Sequence, residues 1–333
     1  MRLSRIILCL CIGFGPALVA GAPAFAQQRT APTPTPRPAT PGQPAAPRPA
    51  ARPPAAAAAD LAFGAYQRGQ YLTAMREATQ RVEAAPDAVT MTLLGELNAN
   101  GLGVAQNDQR ALGWYRLAAD RGDRNAIFAI GMMHVDGRAG LPRDPAAAKA
   151  LFERAAALGH PAAGYNLGIM AMSGQGGPAD AVQAARWFQG AADLGNADAQ
   201  YALAVLFKDG NGVPADPLRA AEYMGKAARQ DLVEAEIDYG VMLFNGQGVA
   251  KDEAAAARLF RRAALRGNPL AMNRYARLLA SGRGVAADPQ AAAQWHTTAR
   301  FLGAEDAWLT DFVAKLDPVQ REAAERGART WLR

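Results

Sequence analysis

The chain has 333 residues, half of them apolar, with 36 Lys and Arg against 30 Asp and Glu, which is enough for one or two packed domains. The surplus charge is confined to the first 59 residues, where Arg2, Arg5, Arg29, Arg37, Arg48 and Arg52 stand without an acid, so that from Asp60 onward 30 basic residues face 30 acidic ones. A folded part that is neutral overall lacks the basic stripe that dominates nucleic-acid affinity, and that class is excluded.

Residues 1–26 have the layout of a secretory signal. Arg2 and Arg5 precede the apolar run "IILCLCIGFGPALVA", and Ala24-Phe25-Ala26 forms a small-residue cleavage pattern before Gln27. "GFGP" interrupts the run well short of the roughly 20 apolar residues of a spanning helix, so cleavage is expected rather than membrane anchoring. Cys9 and Cys11, the only cysteines, lie inside this segment and outside any lipoprotein pattern. The mature chain would be thiol-free, as suits an oxidising compartment, and the periplasm is the expected location. Residues 27–59 are rich in Pro and Ala and cannot bury a core, so a disordered or extended spacer is expected there.

Residues 60–87 contain "AYQRGQYLTAMREATQRVEAAPDA", with Gly69, Tyr71, Ala74, Ala78 and Pro86 in the pattern of a helical hairpin. From residue 88 to 303 the sequence repeats. The first Ala of the Ala-Ala pair at Ala263 has counterparts at Ala118, Ala155, Ala191, Ala227 and Ala299, and successive intervals along the chain are 37, 36, 36, 36 and 36 residues. A loop glycine keeps the same phase at Gly101, Gly137, Gly174, Gly210, Gly246 and Gly282. In the fifth unit Ala235, Tyr239, Gly240 and Leu243 share one helical face. "NGQGV" then ends that helix at glycine, and Asp252 caps a second helix that buries Ala256, Leu259, Phe260, Ala263 and Ala264. Sister units place Asp-Pro at the same point, at residues 144–145, 216–217 and 288–289, an acceptor followed by proline in the first helical position. A glycine-rich loop that recurs six times between helices is architecture, since a phosphate cradle would follow a strand and occur once. Two units depart from the template: the second inserts a residue in "DGRAGLPRD", and the third has Gly177 in place of valine. Residues 304–333 lose the glycine loop and end in a charged helix that starts at Asp317-Pro318.

This pattern resembles the Sel-1-like repeat, a relative of the tetratricopeptide repeat. The resemblance implies an all-α, right-handed α/α solenoid of six helix-turn-helix repeats, with capping helices at residues 60–87 and 304–333. It also implies a scaffold that offers a concave surface to partners. Exported bacterial members of the family include envelope assembly factors and regulators of sensor kinases, and some cysteine-rich members have been credited with weak β-lactam hydrolysis.

No catalytic constellation accompanies the repeats. Ser173 and Ser281, the only serines after the signal, share one turn position, and neither is followed by lysine three residues on. His134, His160 and His296 are scattered and are expected to pack or to sit in solvent. With no cysteine in the mature chain and no His pair at ligand spacing, no metal or cofactor is expected. Trp114, Trp187 and Trp295 occupy a packed template position and are poor candidates for sugar stacking.

A second face of each unit's first helix remains for binding. Its three positions read Phe128, Met132 and Val135 in unit two; Tyr165, Ile169 and Met172 in unit three; Tyr201, Val205 and Lys208 in unit four; Ile237, Val241 and Phe244 in unit five. Units one and six are polar there, with Thr92, Glu96, Asn273 and Arg277. An apolar ladder with polar ends suits a groove for a hydrophobic peptide or helix, although the same residues would equally fill the inner wall of a tightly wound array. The expected function is a non-enzymatic interaction scaffold or regulator of the bacterial envelope that binds another envelope protein or peptide. A hydrolase of β-lactams or peptidoglycan and a glycan-binding protein stay open.

Overall fold

A computed structural model describes residues 55–331, so the signal segment and most of the spacer lie outside the described residues. Among the described residues every regular element is an α-helix, and there are sixteen. The chain divides into two compact units, Met1–Gln106 and Asn107–Arg333.

The first unit holds α1 (Ala55–Gln67), α2 (Tyr71–Ala84) and α3 (Ala88–Asn100). The spacer expected over 27–59 is corrected at its end, because residues 55–59 are already helical; a run of five alanines has the highest helix propensity available and no proline to break it. Buried Ala62 and Ala65 of α1 and Ala74 and Ala78 of α2 let these two helices pack closely. Asp87 caps α3. It accepts hydrogen bonds from Thr90 N (2.9 Å), Thr90 Oγ1 (2.8 Å) and Arg81 Nε (2.8 Å), which together hold its carboxyl below the usual range despite partial burial.

The second unit runs through α4 (Asp108–Ala119), α5 (Arg124–Asp136), α6 (Pro145–Ala157), α7 (Pro161–Ser173), α8 (Ala181–Asp193), α9 (Ala197–Asp209), α10 (Pro217–Arg229), α11 (Val233–Asn245), α12 (Glu253–Leu265), α13 (Pro269–Ser281), α14 (Pro289–Phe301), α15 (Ala307–Ala314) and α16 (Pro318–Trp331). From α5 to α14 each helix packs mainly on its chain neighbours, the one-dimensional order of a solenoid. α16 returns to lie on α14, burying Ala324 and Ala328 and bringing Trp331 edge-on to Trp295.

The fifth repeat illustrates the local logic. Gly246 ends α11 in the left-handed region at φ 71° and donates its N–H to Met242 O. Gln247 N bonds the same carbonyl at 2.9 Å, and Asp252 N closes the loop on Leu243 O at 2.9 Å. Asp252 Oδ1 then accepts from Ala255 N at 2.8 Å, starting α12. The second loop glycine does something the spacing did not predict. Gly248 also has positive φ, and a Cβ there would overlap the carbonyl of Pro217, the first residue of the preceding repeat's second helix. Gly212 and Gly284 press in the same way on Ala181 and Glu253. The loops of repeats four, five and six are therefore seated against the repeat before them, whereas Gly140 of the second repeat meets only Gln109 Nε2, at 3.9 Å. In the second repeat the inserted residue leaves Ala139 at φ 57°, a strained non-glycine, and the loop is secured by the Arg138–Asp108 ion pair (2.6 Å).

A size rule governs the core. In Gly131/Phe152, Gly168/Phe188 and Gly240/Phe260 the ring lies where the glycine's Cβ would be, as close as 2.6 Å in the first and third pairs. At the same phase the fourth and sixth repeats replace glycine with Ala204 and Ala276, and phenylalanine with Met224 and His296. All five of these second-helix side chains are almost fully buried. Ala263, central to the expected phase, is likewise fully buried.

Candidate functional site

The ladder is positioned by α5, α7, α9 and α11, whose equal length and shared left-handed glycine C-caps place corresponding residues at corresponding turns. Its members are not equally available. Tyr165 and Ile237, at 8% and 4% exposure, belong to the core. Phe128, Met132, Ile169, Met172, Tyr201, Val205, Val241 and Phe244 are half-buried. Ile169, Met172, Tyr201 and Val205 pack against the core of repeats three to five, and Val241 and Phe244 against that of the last two repeats. The rings of Phe128 and Tyr165 lie 5.4 and 5.8 Å from those of Phe152 and Phe188. The ladder is thus part wall and part surface. Its polar ends also need correction, because Thr92 and Asn273 are buried. Asn273 Nδ2 donates to Ala304 O (3.1 Å), while its Oδ1 faces His296 Nδ1 at 2.9 Å.

Carboxylates stand beside the two tyrosines of this row, while Lys208 and the Arg283 guanidinium, 4.1 Å from the Phe244 ring, bring positive charge near its other end. Tyr201 donates its hydroxyl proton to Asp238 Oδ2 at 3.0 Å, and burial together with Asp238, Glu234 and Asp209 pushes its phenol far above the ordinary value. Burial and the nearby Asp198 carboxylate push Tyr165 up to about 12. Asp198 is raised by burial and by Glu234.

The three histidines have structural positions. His296 is enclosed, with Nε2 3.1 Å from Thr310 Oγ1. Because the Asn273 amide donates elsewhere, its Oδ1 is the acceptor and His296 Nδ1 carries the proton. His134 is half-buried on α5. His160 has a role that sequence reasoning missed: it is the N-cap of α7, its Nδ1 accepting from Ala163 N at 3.2 Å. The signal was present in the register, since Asn196 and Asn268 cap α9 and α13 at the same phase.

Capping requires an unprotonated Nδ1, and burial followed by the Arg124 charge holds the His160 imidazole down at about 4. Its folded value lies below the ordinary 6.5, so the unfolded chain takes the proton first. The contribution to stability is complete above about pH 6.5 and is lost as pH falls towards 4. His160→Asn is expected to keep the cap and remove about 1 to 2 kcal/mol of acid sensitivity, after discounting for the ring's partial solvation. The check is the urea midpoint of both proteins at pH 7 and pH 4.5; equal loss in both would refute this role.

No reactive constellation forms. Ser173 and Ser281 donate their hydroxyl protons to Ile169 O (2.9 Å) and Arg277 O (2.7 Å) of their own helices, and neither bonds a histidine. Among the described residues no three His, Asp or Glu side chains gather at metal-binding distance. Trp114, Trp187 and Trp295 are half-buried. Trp308, which sequence reasoning passed over, is 46% exposed, but its ring is stacked on Phe312 (5.7 Å) and lies under the Arg277 guanidinium (5.3 Å).

The junction of repeats four and five is built differently from the others. Asp231 takes the left-handed turn at φ 63° where sister repeats have glycine, and Leu232 gives α11 no side-chain cap. Glu236, fully enclosed, replaces that order with ion pairs to Arg262 Nε (2.5 Å) and Arg266. Arg262 and Arg266 also donate to the carbonyls of Ala228 (2.6 Å) and Asp231 (2.5 Å).

Comparison with known proteins agrees with this architecture. The Sel1 repeat pattern matches residues 88–123, 124–160, 161–196, 197–232, 233–268 and 269–299. A Sel1 repeat protein from Oxalobacter formigenes is 29% identical, with a TM-score of 0.63 over 72% of this chain and 98% of its own. A protective antigen present in uropathogenic Escherichia coli strains, displaying an SLR fold, is 26% identical with a TM-score of 0.65. That match covers 77% of this chain but only 56% of the antigen. No curated protein matches the sequence.

Proposed function

Because this chain belongs to the Sel1 repeat family, whose solenoids generally serve as protein-interaction scaffolds, we propose that it is a non-enzymatic interaction module of the bacterial envelope, exported through residues 1–26 and held off another structure by its Pro-rich spacer. The partner is an envelope protein or peptide that lies along the row formed by α5, α7, α9 and α11. One observation carries this reading: eight apolar side chains in four consecutive repeats share a single stripe and keep part of their surface in water. The glycan and hydrolase readings have no comparable support, since the most exposed tryptophan of the second unit already has its ring engaged and both serines are bonded to their own helices.

The test is site-specific photo-crosslinking in periplasm. A photoreactive residue at Met172 or Phe244 is expected to trap one protein species that a probe at Gln183, on the exposed side of α8, does not. The triple variant Ile169→Thr, Val205→Thr, Val241→Thr keeps a β-branched side chain at each position and is expected to reduce trapping at Met172 at least ten-fold while melting cooperatively. Equal trapping at Met172 and Gln183, or no effect of a folded triple variant, would remove the row from consideration. Tyr165 is left unaltered because its burial would confound folding with binding.

A further inference from the structure

The row carries a second piece of information about its occupant. Along one margin, near the first turns of α9 and α11, stand Asp198, Glu234 and Asp238. Asp238 accepts the Tyr201 hydroxyl at 3.0 Å, and Glu234 lies within electrostatic reach of both Asp198 and the Tyr201 phenol. Several other carboxylates of the second unit are ion-paired. Asp108 meets Arg138, Glu236 meets Arg262 and Arg266, Glu253 meets Arg283, and Asp306 meets Arg277. Asp198, Glu234 and Asp238 make no ion pair with any described cation. Lys208, at the opposite end of α9, is directed to Asp209 at 3.9 Å.

Helix N-termini favour acids, and that accounts in part for Asp198 and Glu234 in their first turns. It does not account for Asp238, which stands a turn further in. Nor does it account for carboxylates placed beside buried Tyr165 and half-buried Tyr201, where reduced solvation strengthens their repulsion.

Resting on the proposed use of this row, we propose that its acidic margin selects a cationic amphipathic segment of the partner: apolar side chains fill the strip from Ile169 to Phe244, and Lys or Arg side chains reach Asp198, Glu234 and Asp238. The charge complementarity is specific in sign and place. An anionic segment would add to an existing repulsion, and a neutral one would bury carboxylates without partners, which is costly. An arginine of the partner seated over the face of the Tyr201 ring would add cation–π attraction.

The test uses the full mature chain and three fluorescein-labelled 14-residue amphipathic helical peptides that share one leucine pattern and differ only in their polar face, which is Lys, Gln or Glu. Affinities are read by anisotropy at 50 and 300 mM salt. The Lys peptide is expected to bind at least ten-fold tighter than the Gln peptide at low salt, with the Glu peptide weakest. Asp198→Asn, Glu234→Gln, Asp238→Asn should erase the Lys advantage and leave Gln binding intact. The equally neutralising control Asp120→Asn, Glu153→Gln, Asp311→Asn should leave the Lys advantage in place. If the Lys and Gln peptides bind equally and the row triple variant weakens both, the row binds but the charge inference fails. If the control removes the Lys advantage as fully as the margin variant, the effect is diffuse attraction and the inference fails. If no peptide binds, or binding ignores the row variant, the proposed use of the row fails together with the inference. Melting curves for every variant verify that the fold persists.

Discussion

Gly248→Ala is expected to cost about 2 to 5 kcal/mol, roughly twice as much as Gly246→Ala two residues earlier. Both positions hold the chain in the left-handed region, at φ 66° and 71°, so alanine pays about 1 to 2 kcal/mol at either one. They differ in what surrounds them. A Cβ on Gly246 meets Lys251 Cβ at 3.4 Å, an ordinary contact with a side chain that can yield. On Gly248 it would overlap the Pro217 carbonyl, which cannot move without displacing the first turn of α10. That forced displacement adds an overpacking cost of about 1 to 3 kcal/mol. Urea titration followed by circular dichroism compares the two variants, and Gly246→Asn supplies a milder control because asparagine tolerates the left-handed turn. A Gly248→Ala midpoint no lower than that of Gly246→Ala would mean the loop is not seated on the preceding repeat. Since solenoids can lose repeats in stages, the unfolding curve of the variant is also expected to broaden.

The second large effect concerns Gly240 and Phe260. Gly240→Ala places a Cβ 2.6 Å from the Phe260 ring, and the ring is enclosed by the core of the last two repeats. The expected cost is about 2 to 3 kcal/mol. Phe260→Met alone leaves a void and costs about 1 to 2 kcal/mol. The double variant reproduces the Ala204/Met224 combination that the fourth repeat uses at the same phase, and its cost is expected to fall well below the sum of the single costs. A double-mutant cycle on urea-derived stabilities measures this, with a favourable coupling of about 1 to 2 kcal/mol predicted. Additive costs would show that the two positions do not share space, and the size rule would fail.

The repeats were legible because each rests on local chemistry that recurs at fixed intervals. Glycines at 36-residue spacing mark helix ends, Asp followed by Pro marks helix starts, and paired alanines mark the faces that meet. The family resemblance carried the same residues to a solenoid, and the helices follow that phase. Other features needed the third dimension. Helical periodicity gives the direction of a side chain around its own helix but not how near the next repeat comes, so Tyr165 and Ile237 looked equivalent to Val205 although they are buried more deeply. The same limitation hid the burial of Asn273 by residues of the α14–α15 connection. His160 as a cap and Gly248 as a seat depend on neighbours and on backbone conformation. The enclosure of Glu236 by Arg262 and Arg266 could not be anticipated from a repeat in which sister positions hold Gln200 and Met272.

The seating of these loops on the preceding repeat has a consequence for how such an array changes length. The projecting loop and the surface that receives it are 31 residues apart, Pro217 and Gly248 in one case and Glu253 and Gly284 in the next. Both recur once per 36-residue period in this part of the chain. A duplication or excision of one whole period there gives every such loop a fitting receptor, whatever point in the period the crossover falls on. A change of any other length strands a loop opposite a surface of the wrong shape. The array can be lengthened or shortened by a genetic slip of one period without inventing a new contact, while the side chains on the row along α5, α7, α9 and α11 remain free to drift independently.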